Sequence, residues 1–163
     1  MIILGIDPGY ATIGYGVISH DGHSFRTLDF GAITTPAGMP FAQRLEIIHR
    51  EMGELIEHFH PDIMSIEKLF FNTNITTGIE VAHARGVILL AATQHELPYK
   101  EYTPFQVKQA VVGYGLADKK QVMLMTQNLL HLSSMPRPDD AADALALAVC
   151  LAHSTNSLLE EQK

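Results

Sequence analysis

A chain of 163 residues, 47% of them hydrophobic, is long enough to fold around one substantial core and too short for two large domains. Its apolar runs fall well short of the ~20 residues that a membrane helix needs, the start MIILGIDPG lacks a basic region or small-residue cleavage site, and one cysteine cannot close an internal disulfide, so a cytoplasmic protein is expected. A formal charge of −7 speaks against nucleic acid as a partner without excluding it, since the placement of charge decides binding more than its sum.

MIILGID is an apolar, β-branched run stopped at Pro8-Gly9, and ATIGYGVISH continues after a tight turn as its hairpin partner. A second turn at Asp21-Gly22 leads into a strand from Ser24 to Thr34, which completes an antiparallel meander. From Pro40 the apolar residues Phe41, Leu45, Ile48, Met52, Leu55, Ile56 and Phe59 recur at helical spacing until Pro61 ends the helix. Asp62 to Glu67 then reads as a short buried strand, Thr76 to His95 as a long helix, and Leu97 to Tyr102 as a further strand, giving two βα-type units after the meander. Pro104 suits the first turn of a helix ending at Val112, where Gly113 and Gly115 break the chain. Asp118 is placed to cap a helix running to about His131, and SSMPRP is a loop. The last helix begins near Asp139, the expected N-cap, and runs to about His153, with Cys150 as a packed core thiol. STNSLLEEQK is polar and expected to fray, so the chain divides into a domain over 1–153 and a polar tail over 154–163.

Four carboxylates stand in unusual settings: Asp7 closes the run MIILGI, Glu67 closes IMSI, and Asp140 and Asp143 open DDAADALALAVCLA. An acid at the end of a buried strand must be desolvated, which is costly unless something positive meets it. If the two strands pair, their carboxyl ends are neighbours, where α/β sheets place ligand sites, and the acids three apart on one helical turn can complete an oxygen cluster. All-carboxylate ligation suits Mg²⁺ or Mn²⁺ and not zinc. Two such ions roughly 3.5–4 Å apart could activate water and stabilise the leaving oxygen of a phosphodiester. The competing reading makes Asp7-Pro8-Gly9 a plain turn and Asp139 and Asp140 plain caps, but it leaves Glu67 unexplained. Metal neutralisation of the four acids would bring the formal charge from −7 to −3. Further acids cluster on Glu46, Glu51, Glu54 and Glu57 of one helix and on Glu160 and Glu161 in the tail.

In these segments the sequence resembles the RuvC family of Holliday junction resolvases, within the ribonuclease H-like superfamily. The matching stretches are LGIDPG with GYGVI, Ile66 and Glu67 with Phe70 and Phe71, ARGVILLAA (Ala84 to Ala92), EYTPFQVKQAVVGYG (Glu101 to Gly115), KKQV (Lys119 to Val122) and DDAADALALA (Asp139 to Ala148). They occur in the family's order and cover nearly the whole chain to His153. The resemblance implies an α/β fold with a five-stranded mixed sheet flanked by helices. It also implies a homodimer that binds four-way DNA junctions and makes paired nicks in strands of like polarity, using Mg²⁺. Asp7, Glu67, Asp140 and Asp143 match the family's catalytic and metal-binding acids. The expected products carry 5′-phosphate and 3′-hydroxyl ends, the expected cleavage site is a short T-containing sequence, and the expected partners are the RuvA and RuvB branch-migration proteins.

Phe70 and Phe71 follow Glu67 in a segment that turns polar at once, so one ring is expected in the core and the other exposed to stack on an unpaired base; the resemblance favours Phe70 for DNA. Lys108, Lys119 and Lys120 could meet phosphates around the acids, and the resemblance favours the first two. His58 and His60, two apart before Pro61, are read as solvated helix-end histidines rather than ligands. The helix with Val81, Ala82, Ala84, Gly86 and Ala91 is rich in small residues, which suits close packing on the sheet; the resemblance puts the dimer interface there. Two other classes compete with a nuclease: an idle ribonuclease H-like binding module, against which the intact acids speak, and a small-molecule phosphotransferase of the actin-like fold, which requires two such domains.

Overall fold

The computed structural model describes residues 1–70 and 75–160. The strands are β1 (Ile2–Asp7), β2 (Thr12–His20), β3 (Phe25–Thr34), β4 (Ile63–Glu67) and β5 (Tyr99–Tyr102). The helices are α1 (Phe41–Phe59), α2 (Ile75–Gln94), α3 (Pro104–Val112), α4 (Lys119–Leu129) and α5 (Asp139–Glu160). The strands form one sheet in the order β3-β2-β1-β4-β5. β1, β2 and β3 pair antiparallel, as a meander must, while β4 pairs parallel with both β1 and β5. This is the expected mixed sheet, with β1 at its centre.

Successive residues of a strand point to opposite faces, and that alternation sorts the core into two halves. Leu4, Ile6, Met64 and Ile66 pack with α1 and α2 through Ile48, Met52, Ala84 and Ile88. Ile3 faces the other way, into a core built by α3, α4 and α5 through Val107, Val122 and Leu145. Asp7 shares the parity of Ile3, so it emerges on the α5 side; on β4, the Ser65 hydroxyl donates 2.6 Å to the Leu147 carbonyl of α5, which puts Glu67 on that side too. Cys150 is buried in the same half, and burial pushes its thiol up to about 12, as fits an inert core residue.

The sheet meets α5 without side chains in between. A Cβ at Gly5 would strike the Ala144 carbonyl, and one at Gly14 would strike the Asp140 carbonyl. Glycine weakens a strand, yet only glycine allows a helix to rest on bare strand backbone. On the helix the matching residues are small: Ala141, Ala144 and Ala148 are fully buried.

Some boundaries differ from the sequence expectation. Asp139 is not the N-cap of α5; it is the first helical residue, with Pro138 taking the flanking position and its carbonyl accepting the Ala141 amide at 2.9 Å. α5 also runs past His153 to Glu160, because no glycine or proline interrupts it; the Ser154 and Thr155 hydroxyls donate to the carbonyls of Cys150 and Leu151 within it. β5 starts at Tyr99 instead of Leu97, since the Leu97 amide is used to close the end of α2 on the Ala92 carbonyl. Asp118 caps α4 as expected, accepting from the Gln121 amide while the Gln121 side chain accepts from Asp118 N–H. Thr103 and Gln106 form the same reciprocal pair at the start of α3.

Gly5→Ala is therefore expected to cost about 1–3 kcal/mol or more through overpacking between β1 and α5. Urea unfolding should show a lower midpoint with an unchanged slope.

Candidate active site

Asp7 and Glu67 end adjacent parallel strands. The β1–β4 register pairs Ile6 with Ile66, so the two acids follow side by side at the carboxyl edge of the sheet. α5 crosses that edge at Gly14, the partner of Asp7 in the β1–β2 ladder. This close seating brings the first turn of α5 against Asp7, and Asp143 follows one turn on.

Asp7, Glu67 and Asp143 line one cavity of about 270 Å³ together with Lys108 of α3 and Lys119 of α4. Asp140 is not on its wall but is hydrogen-bonded to Asp7. Lys119 Nζ lies 3.3 Å from Asp143 Oδ2 and 3.9 Å from Asp139 Oδ2. Lys120 is exposed and contributes nothing to this wall. Phe70 is 52% exposed and borders a second, smaller cavity that shares Glu67 and Pro104 with the first. Phe71 lies outside the described residues.

The electrostatics follow from crowding acids at a buried edge. Burial, then repulsion from Asp143, Glu67 and Asp140, with a hydrogen bond to Asp140, raises the Asp7 pKa from its ordinary 3.8 to about 8. Glu67 is raised by burial and by Asp143, with Lys119 pulling the other way. Asp143 is raised as well, chiefly by burial, although Lys119 opposes the shift. Burial works against the Lys119 ammonium, but Asp143, Asp139 and Asp7 outweigh it and hold its pKa above the ordinary value.

One lysine inside the acid cluster does not balance three carboxylates and a fourth bonded to Asp7. The donor set, carboxylate oxygens only, fits a hard divalent cation such as Mg²⁺ or Mn²⁺. As the side chains stand, no three acidic, imidazole or thiol groups among the described residues converge on one point within ligand reach. Asp143 is held by Lys119 and Asp7 by Asp140. The sequence expectation missed Asp139 as a partner of Lys119. It also missed the capping box that sets α3 beside the cavity, although Thr103-Pro104-Phe105-Gln106 carries its signature.

These shifts fix the sign of a pH effect. Between pH 4 and 8 the folded chain keeps a proton on Asp7 that the unfolded chain has lost, so stability falls as pH rises through that window, by up to about 1.4 kcal/mol per unit for this group. The raised values of Glu67 and Asp143 act in the same direction. Thermal melts in chelator should show a falling melting temperature across the window. Asp7→Asn should flatten that fall and melt above the wild type at pH 8, while added Mg²⁺ should restore the wild type alone.

The family described as "Crossover junction endodeoxyribonuclease RuvC" matches residues 3–151. A protein of that name from Alkaliphilus metalliredigens is 58% identical over 154 residues, covering 94% of each chain. One from Alkaliphilus oremlandii is 55% identical over 156 residues, covering 96% of this chain and 95% of its own. Among solved structures, Thermus thermophilus RuvC in complex with a Holliday junction substrate superposes with a TM-score of 0.92 at 35% identity, covering 96% of each chain. With the fold, the length and the sequence all in agreement, the chain belongs to the RuvC family.

Proposed function

We infer that this chain is a structure-selective endodeoxyribonuclease that resolves four-way Holliday junctions by paired, symmetric phosphodiester hydrolysis in DNA recombination and repair. The observation that carries the reading is the single cavity in which Asp7, Glu67 and Asp143 face Lys108 and Lys119. Acids and lysines in one wall suit a metal-bound phosphodiester, where carboxylates hold cations and ammonium groups meet phosphate oxygens. Support also comes from the Thermus thermophilus relative, whose structure was solved with a Holliday junction substrate.

In the mechanism we propose, Asp7, Glu67, Asp140 and Asp143 would hold the cations, with Asp140 bonded to Asp7 and so orienting its carboxyl group. Mg²⁺, two ions per subunit with Mn²⁺ able to substitute, would supply activation of the attacking water and charge stabilisation at the leaving oxygen. Lys108 and Lys119 bind the phosphate, and Lys119 also holds Asp143 by an ion pair of 3.3 Å. Phe70, exposed next to Glu67, is placed to stack on a base unpaired at the branch point. Lys120, exposed beyond the cavity, would contact a phosphate farther along the strand. In-line attack leaves 5′-phosphate and 3′-hydroxyl ends.

Paired cuts require two sites, and α2 offers the surface for a homodimer. Ile79 (48% exposed) and Leu90 (51% exposed) share one side of α2 with Gly86, at which an added Cβ would meet nothing within 4 Å. Exposed aliphatic residues around a bare glycine suit the close approach of a second helix. The RuvA and RuvB proteins are the proposed partners on the junction, and the cytoplasm the proposed site of action. Among the described residues no helix is long and apolar enough to cross a membrane.

With a synthetic four-way junction and Mg²⁺, the wild type should make symmetric nicks that a matched linear duplex does not receive. Asp7→Asn should lose about 10³-fold or more of that rate, as loss of a principal active-site group does elsewhere, and still shift the junction in a gel. A shifted band without cuts in the wild type would favour a binding module instead. Leu90→Glu should halve the mass seen by sedimentation and abolish paired cutting.

A further inference from the structure

The Glu67 carboxylate is useful only if its backbone is held, yet it sits where the strand ends. The β1–β4 pairing stops at Ile6 and Ile66, one residue short of it. Beyond that point the peptide between Glu67 and Lys68 is pinned on both sides. The Lys68 amide donates 2.8 Å to the Tyr102 carbonyl of β5. The Glu67 carbonyl accepts a hydrogen bond of 3.2 Å from Arg85 Nε, which reaches over from α2. Fixing both ends of one peptide unit fixes the backbone angle from which the Glu67 side chain departs.

Arg85 is itself anchored. Its side chain is 13% exposed, and its Nη2 lies 3.2 Å from Glu101 Oε1 on β5, opposite Ile66 in the ladder. That Nη2 is buried without an aligned hydrogen bond, so the contact works as an ion pair that compensates a desolvated guanidinium. Helix α2, strand β4 and strand β5 are thereby tied at one point behind the cavity. A planar fork is suited to the task, because it presents one N–H to a carbonyl and another nitrogen to a carboxylate at once, which an ammonium on a flexible stem cannot do in the same geometry.

We propose that Arg85 is a positioning residue for the nuclease reaction, holding the Glu67–Lys68 peptide so that the Glu67 carboxylate meets the active-site cation in the required orientation. The proposal rests on the nuclease reading. It assigns Arg85 no contact with DNA or cation. A site of this kind tolerates displacements of only about 0.5 Å, so the loss of one brace should register in cation affinity and turnover before it registers in folding.

The test compares wild type with Arg85→Gln, Arg85→Lys and Glu101→Gln, using two readouts on the full chain. One is single-turnover nicking of a four-way junction, with junction affinity measured separately in EDTA. The other is the Mn²⁺ concentration at the midpoint of the cation-induced rise in melting temperature, which needs no activity. Arg85→Gln should nick about 10–100-fold more slowly with junction affinity unchanged, and its Mn²⁺ midpoint should rise by about tenfold. Arg85→Lys should fall between it and wild type. Glu101→Gln, at a half-exposed site that leaves the carbonyl bond in place, should shift both readouts the same way by less. Wild-type rates and Mn²⁺ midpoints in the Arg85 variants would overturn the proposal, as would a rate loss matched by an equal loss of junction binding. Should Arg85→Gln fail to fold, Arg85→Lys and Glu101→Gln decide the matter by the same criteria. If the wild type itself does not nick the junction, the nuclease reading fails, whereas the Mn²⁺ midpoints still decide whether Arg85 positions Glu67.

Discussion

The seating of α5 on bare strand backbone is the constraint from which the rest of the site follows. Gly5 and Gly14 remove the side chains that would hold a helix away from the sheet, and the buried alanines 141, 144 and 148 remove them from the other surface. Dispersion and burial between such flat surfaces are favourable only at close range, so the helix has one height above β1 and β2. That height puts the first turn of α5 against the end of β1. Asp140 consequently reaches Asp7, and Asp143 reaches the cavity that Asp7 and Glu67 border. The steric requirement of three small alanines and two glycines is thus the origin of an electrostatic one, four acids forced into a space where they repel.

The same architecture separates the two kinds of negative charge on this chain. Acids at the cavity belong to the sheet face covered by α3, α4 and α5, where Lys108 and Lys119 also stand. Glu46, Glu51, Glu54 and Glu57 lie on α1, which packs on the opposite face of the sheet with Ile48, Met52 and Ile56. Glu51 and Glu54 join Asp29 in a separate cleft there, away from the cavity. A formal charge of −7 is therefore compatible with a nucleic-acid substrate, because the α1 acids pack on the opposite face from the cavity and the cavity acids are the ones that cations would neutralise on the proposed reading.

Period and punctuation made most of the fold legible. MIILGID and the segment ending at Glu67 are short, apolar and terminated, and their acids can only stand at the strand ends, so their pairing follows once the strands are parallel. The spacing of Asp140 and Asp143 placed them on one turn, but spacing has no depth: it could not show that Asp140 bonds to Asp7 off the cavity wall while Asp143 lines it, since that depends on the height of the helix above Gly14. Asp139 looked like a cap because it precedes the pair Asp140 and Asp143, but the helix starts one residue earlier, with the Pro138 carbonyl accepting the Ala141 amide. The end of α5 was hidden for a similar reason. Polar residues after His153 lack a core pattern, yet no glycine or proline stops the helix, and the Ser154 and Thr155 hydroxyls are taken up by the carbonyls of the preceding turn.

Where local preference and position disagree, function is the better explanation of the residue. Lys119 and Lys120 occupy the first turn of α4, the end at which a helix dipole is positive and where cations cost up to about 1 kcal/mol each. The Asp118–Gln121 capping box offsets part of that cost by satisfying the orphan donors, and Asp139 and Asp143 hold the Lys119 ammonium in place. A chain selected for stability alone would put acids here, as α5 does with Asp139 and Asp140. Keeping Lys119 there concentrates positive potential from side chain and backbone together at the wall of a cavity that Lys108 and three acids share. Such a point favours an anionic group, and on the proposed reading a phosphate oxygen would meet Lys119 of α4 while the strand-end acids Asp7 and Glu67 would hold the cations, so that one cavity brings both partners of a phosphodiester together.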